Sequence, residues 1–181
     1  MGEDKLRLEV GTQTLVQRVV GVLQKRCDEV ILAGPGDPTP PGARPVGDLR
    51  PGQGPLAGME AALAAARHPL TFVAAGDMPF LNAGLVGHLL EALEGGGASA
   101  VVPEHGGRVH PLCAAYSRAV LADLAAALDD GVRAARDFLG RLDRVLFVEE
   151  GELRKFGEPD LLLMNVNSRE DLRRARGLIG A

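Results

Sequence analysis

LTFVAAGDMPFLNAGLVGHLLEAL, residues 70–93, contains the unit whose reading decides the fold. Residues 70–75 form an apolar strand that ends on Gly76-Asp77-Met78-Pro79. A helix is expected over 82–93, with Asn82 as its N-cap. Upstream, residues 14–25 place Leu15, Val19, Val22 and Leu23 on one face of an amphipathic helix. Residues 29–33 (EVILA) read as a short buried strand. GPGDPTPPGARP, residues 34–45, is too rich in Pro and Gly for regular structure, and a loop of that length is often functional or mobile. A second helix over 56–67 is entered through PGQGPLAG, residues 51–58. Downstream, strands at 98–103 and 112–116 flank HGGRVHP. Two helices, near 119–128 and 132–142, and a strand at 145–148 follow. LLLMNVN, residues 161–167, reads as a last strand, and Ser168 with Asp171 forms a capping box that starts a helix over 169–178. Strand and helix patterns alternate from end to end, which predicts an α/β fold with a mainly parallel sheet. No composition break marks a second domain.

Composition narrows the function classes. The 181 residues suit one globular domain. A net charge of −4 argues against a nucleic-acid binder, which needs a clustered basic face. A small anionic ligand is compatible with it, because local charge and backbone amides decide that. Cys27 and Cys113 have no metal-ligand spacing and read as reduced, buried thiols. No apolar run reaches membrane-spanning length and no signal peptide is visible, so no membrane partner is expected and the cytoplasm is the expected location.

In an open α/β sheet, ligands bind beyond the carboxyl ends of the strands. Asp77 stands at such an end, where a carboxylate could ligate Mg²⁺ with phosphates completing the shell. Gly-Asp ahead of a proline is equally ordinary turn chemistry. Asp48 and the glycine loop form a second candidate. Gly52, Gly54 and Gly58 let the backbone approach a flat ligand, and Pro55 suits the first turn of a helix whose N-terminus attracts phosphate. A tight strand-to-helix connection would carry the same residues. The third candidate is Asn165-Val166-Asn167, in which strand alternation sends both amides to one side; alternatively Asn167 only helps turn the chain into the next helix. Lys5 could offset charge on a transferring phosphate, or be a solvated terminal lysine. His110, ahead of Pro111, starts a strand.

Together MGEDKLRLEVGTQTLVQRVV, GPLAGMEAAL, FVAAGDMPFL, GRVHPLCAAYS and MNVNSREDL resemble, in order and across nearly the whole chain, the molybdenum cofactor guanylyltransferase family. The resemblance implies a three-layer α/β/α nucleotide-binding fold of the nucleotide-diphospho-sugar-transferase type, comprising residues 1–181 as one domain. It implies the reaction of GTP with molybdopterin to give the guanine dinucleotide and pyrophosphate, with Mg²⁺ as cofactor. Under it, Lys5 contacts the GTP phosphates. Asp48, Gly54, Pro55 and Leu56 belong to the nucleotide loop, and Asp77 takes Mg²⁺. Arg108, His110, Asn165 and Asn167 lie toward the pterin, or Asn167 is a second metal ligand by analogy with sugar-nucleotide pyrophosphorylases. Molybdoenzymes or their chaperones are the further partners it brings in. The family also carries a strand and a loop resembling Leu-Ala-Gly-Gly-x-Ser-x-Arg ahead of Met-Gly. An in-frame segment of that kind is expected upstream of Met1, because its strand would be central in the sheet. At Gly34-Pro35, where the family has a nucleotide-contacting asparagine, no binding residue is assigned. Transfer of CMP, or of a nucleotide to another phosphate acceptor, is the alternative within the class. A non-catalytic GTP- or pterin-binding module is the alternative outside it.

Overall fold

The computed structural model describes residues 7–34 and 39–180. In chain order the elements are β1 (Glu9–Val10), β2 (Gln13–Thr14), α1 (Leu15–Leu23), β3 (Val30–Ala33), β4 (Ala43–Val46), α2 (Pro55–Ala65), β5 (Leu70–Ala74) and α3 (Ala83–Gly96). Then come β6 (Ala100–His105), β7 (Arg108–Val109), β8 (Cys113–Ser117), α4 (Leu121–Asp129), α5 (Ala135–Leu139), β9 (Val145–Val148), α6 (Glu150–Leu153), α7 (Pro159–Leu162) and α8 (Arg169–Ile179).

β5, β8 and β6 lie side by side, with β9 on β6. β5, β6 and β9 run in one direction, and β8 is inserted antiparallel between β5 and β6. β3 and β4 form a separate parallel pair. The period of two along these strands sorts their side chains into layers. Val101, Cys113 and Ala115 enter one core with α1, α3, α6 and α7. Ala100, Val102, Ala114 and Tyr116 enter the other with α2, α4 and α5. Helices therefore cover both sheet faces, giving the expected α/β/α layering. A third cluster joins Val10 and Leu15 to Val166, Leu172 and Ala175, and so clamps the last helix to the first turns of the chain.

Several local expectations match the structure. Asn82 caps α3 by accepting from the Leu85 amide at 3.0 Å. Ser168 and Asp171 form the capping box of α8. Three expectations need correction. Residues 34–45 are not wholly irregular, because Ala43–Val46 is a strand. Its Pro45 stands opposite Leu32, and a proline is admitted there because β4 is an edge strand, where the missing N–H is not needed on the outer side. The helix expected over 132–142 is shorter, Ala135–Leu139. LLLMNVN is not a strand: Pro159 pre-sets the first turn of α7, Leu162 is helical, and residues 164–167 belong to no helix or strand.

Among the described residues, no strand pairs with the outer edge of β3 or of β5. Between these two edges runs a cavity of about 1070 Å³, lined along β3 by Val30 to Ala33 and along β5 by Leu70 to Ala74. Its floor and roof are apolar residues of α1 and α2, such as Val19 and Met59.

The capping box predicts that Ser168→Ala lowers stability by about 1 kcal/mol, read as a lower thermal melting midpoint with unchanged far-UV circular dichroism. An unchanged midpoint would show that α8 is held by its packing against Val10 and Leu15 alone.

Candidate active site

The polar end of the large cavity gathers Gly34, Asp48, Gly54, Pro55, Asp77, Asn165 and Asn167. Each arrives by its own local physics. Asp77 follows β5 and is only 4% exposed. Asn165 Nδ2 donates to Asp77 Oδ1 at 2.6 Å, and the Val166 amide donates to the Asp77 carbonyl at 2.9 Å. The segment 164–167 is thus stitched to the end of β5, and Asn165 and Asn167 both reach the same cavity while Val166 between them is buried in the core. The Asn167 amide and the Ser168 amide both donate to Asp171 Oδ2, which fixes the turn from this segment into α8.

On the opposite wall Gly54 is the N-cap of α2, with φ 81° and ψ −168°. That positive φ is cheap only for glycine, and it swings the chain from the loop directly into Pro55. No side chain caps α2, so the start of this helix is left to the cavity. Asp48 Oδ1 is buried on the cavity wall with no hydrogen-bond partner among the described residues. A buried acceptor without a donor is costly, and a ligand N–H would satisfy it. Leu56 is fully buried in the core, so its side chain faces away from the cavity and only its main chain is placed for a ligand.

A smaller cavity of about 290 Å³ adjoins the first and shares Asn165 with it. Met78, His110, Pro111 and Arg136 are among its other lining residues. Burial lowers the His110 pKa below 6.5, with the charges of His105 and Arg108 acting in the same direction; the imidazole is therefore neutral at pH 7. Arg108 is exposed on β7 and lines neither cavity itself, but it lies near enough to His110 for its charge to act on that ring, and its neighbour Val109 lines the smaller cavity. The hairpin that carries it is anchored by His105, whose Nε2 lies 3.0 Å from Asp160 Oδ1. Arg136 carries no signal in the sequence, since an arginine on a short helix ordinarily reads as solvated. Lys5 lies outside the described residues.

No three His, Cys, Asp or Glu residues converge among the described residues. Asp77 and Asp48, with the Asn165 and Asn167 amides on the same cavity, are the hard-oxygen donors at its polar end. Such a sparse set suits a cation that takes most of its shell from phosphates and water.

The MobA-like NTP transferase domain family matches residues 1–145. A protein named "Probable molybdenum cofactor guanylyltransferase" from Pelotomaculum thermopropionicum is 37% identical over 182 residues, which is 97% of this chain and 85% of that protein. The crystal structure of molybdopterin-guanine dinucleotide biosynthesis protein A from Archaeoglobus fulgidus superposes with a TM-score of 0.83 at 28% identity, covering 99% of this chain and 92% of that one. A Mycobacterium tuberculosis protein solved in complex with manganese shares the fold, with a TM-score of 0.65 at 20% identity over 97% of this chain and 93% of its own. No helix among the described residues is long and apolar enough to cross a membrane.

A histidine whose folded pKa is depressed binds its proton later than in the unfolded chain, so its contribution to stability is present above about pH 6.5 and is lost as pH falls. The imidazole proton resonances of His110 are expected to titrate with a midpoint below 6.5. A midpoint at or above that value would mean the ring is not desolvated.

Proposed function

From the premise that the chain belongs to the molybdenum cofactor guanylyltransferase family, we propose that it transfers GMP from GTP to molybdopterin, releasing pyrophosphate. The observation that carries this reading is the shared wall at Asn165. The polar end of the large cavity, fit for a nucleotide, and a smaller cavity fit for an acceptor share Asn165 and Leu112, and the Asn165 amide holds the Asp77 carboxylate.

In the reaction, a terminal phosphate oxygen of molybdopterin attacks the α-phosphorus of GTP. A new P–O–P bond forms as the bond to pyrophosphate breaks. The nucleophile is already anionic, so no strong base is required. What opposes reaction is repulsion between two anions, which positioning and charge neutralisation overcome. On this reading the start of α2 and the Gly54 turn receive phosphate through main-chain amides. The open Asp48 Oδ1 accepts from the N–H edge of the base. Asn165 fixes the Asp77 carboxylate and, with His110, borders the acceptor; Asn167, which lines the large cavity, is proposed to face the pterin from that side, as the family resemblance implies. Neutral His110 avoids adding a proton-labile charge beside the pterin. Lys5 is proposed to contact the GTP phosphates, as the family resemblance implies. Asp77 is proposed to hold Mg²⁺, with Asn167 as the second candidate ligand; when bound, the ion would neutralise charge on phosphate oxygens. Molybdoenzymes or their chaperones would receive the product, in the cytoplasm.

We further propose that this is a single domain, and that the slot between β3 and β5 seats an additional apolar strand. Two facing edges that no strand among the described residues pairs, lined along their whole length by the same cavity, support that reading. Such a strand would join both sheets into one and bring its following turn to the cavity's polar end.

Asp77→Ala is expected to lower turnover by at least about 10²-fold, the scale of losing several kcal/mol of charge stabilisation, while circular dichroism stays near wild type and the melting midpoint falls through loss of the Asn165 hydrogen bond. Near-normal pyrophosphate release from GTP and molybdopterin in that variant would show the metal assignment wrong. CTP turning over faster than GTP would move the assignment to the cytidylyl alternative, and no pyrophosphate from the wild-type protein would favour a binding module.

A further inference from the structure

Glu60 and Asp77 are the charged side chains that are buried among the described residues, and Glu60, at 4% exposure, lines neither cavity. Its Oε2 receives Arg50 Nε at 2.9 Å. The same guanidinium extends Nη1 to Asp129 Oδ1 at 2.5 Å. Arg50 therefore joins α2, through Glu60, to the last residue of α4.

Its place in the chain makes this contact more than a surface ion pair. Arg50 stands between Asp48 and Gly54, the two cavity-lining residues of the loop. It lines neither cavity itself, and its carbonyl accepts from the Gln53 amide at 3.3 Å, closing the turn. A segment with glycines at 47, 52 and 54 has much backbone freedom to lose on ordering. A buried carboxylate left without a partner is strongly disfavoured, so the loop is driven into the one arrangement that delivers Arg50 to Glu60. The planar fork matters because it reaches two carboxylates in two directions, which an ammonium cannot do in one fixed geometry.

We infer that Arg50 is a positioning residue for nucleotide binding: Glu60 and Asp129 hold its guanidinium behind the loop so that Asp48 and Gly54 face the cavity. This rests on the reading that the loop contacts GTP. The brace acts on the nucleotide side alone, since His110, Asn165 and Arg136 are carried by other elements.

The test compares the full chain with Arg50→Lys and Asp129→Asn, using GTP titration calorimetry and steady-state turnover. Arg50→Lys is expected to weaken GTP affinity and raise the KM for GTP about tenfold, with kcat and the KM for molybdopterin within about twofold of wild type. Asp129 is 66% exposed, so Asp129→Asn leaves the Glu60 contact in place and should shift GTP affinity in the same direction by about threefold, at an unchanged melting midpoint. If Arg50→Lys does not fold, Asp129→Asn alone decides. Unchanged GTP affinity in the folded variants would overturn the inference. So would equal losses for GTP and molybdopterin that track a falling melting midpoint, because they would mean a purely structural role. A wild-type chain that binds no GTP would instead overturn the functional reading on which the inference stands.

Discussion

One hydrogen bond organises this molecule. Asn165 donates to Asp77 across 88 positions of sequence, and the neighbouring Val166 amide seals the same junction through the Asp77 carbonyl. A carboxylate that is 4% exposed at the end of a strand would be expensive to keep charged without a donor. The asparagine supplies that donor, and in doing so it fixes where the C-terminal segment runs, where α8 begins and where the two cavities meet. The third hydrophobic cluster supports the arrangement from below, with Val166 packed against Val10, Leu15 and Leu172.

Around this junction the walls have different characters. The side facing β3 and α2 is built of backbone and small residues, with the Gly54 turn, the start of α2 that no side chain caps and an Asp48 oxygen with no partner among the described residues. The side facing β8 and α5 is built of side chains, with His110, Met78 and Arg136 around a smaller space. A main-chain wall recognises phosphates whatever base they carry, whereas a side-chain wall selects a particular partner. That division suits an enzyme that takes one common nucleotide and one specialised acceptor.

Much of this was legible in the sequence, because the governing signals are local. Asn82 and the Ser168–Asp171 pair announce helix starts through hydrogen bonds that span three residues. The strand of residues 70–74 is announced by its apolar run, and Asp77 by its place after it. The misses have equally physical causes. β4 was hidden because Pro45 reads as a breaker, and only the edge position in the sheet makes it tolerable. LLLM reads as strand by hydropathy, but Pro159 starts a helical turn there. Asn165 and Asn167 nevertheless share a side, because Val166 between them turns inward into the core. Arg108 matches a motif and sits exposed at the rim of the smaller cavity, beside Val109 and His110. Glu60 and Arg136 carry no local signal, since their roles arise only when distant elements pack.

The most direct test of the central claim is a crystal structure with GTP and Mn²⁺, using the anomalous signal of the metal. The account predicts nucleotide between Asp48 and Asp77 in the large cavity, the metal signal on the Asp77 carboxylate, and the α-phosphate turned toward Asn165. Nucleotide bound elsewhere, or metal density away from Asp77, would contradict it.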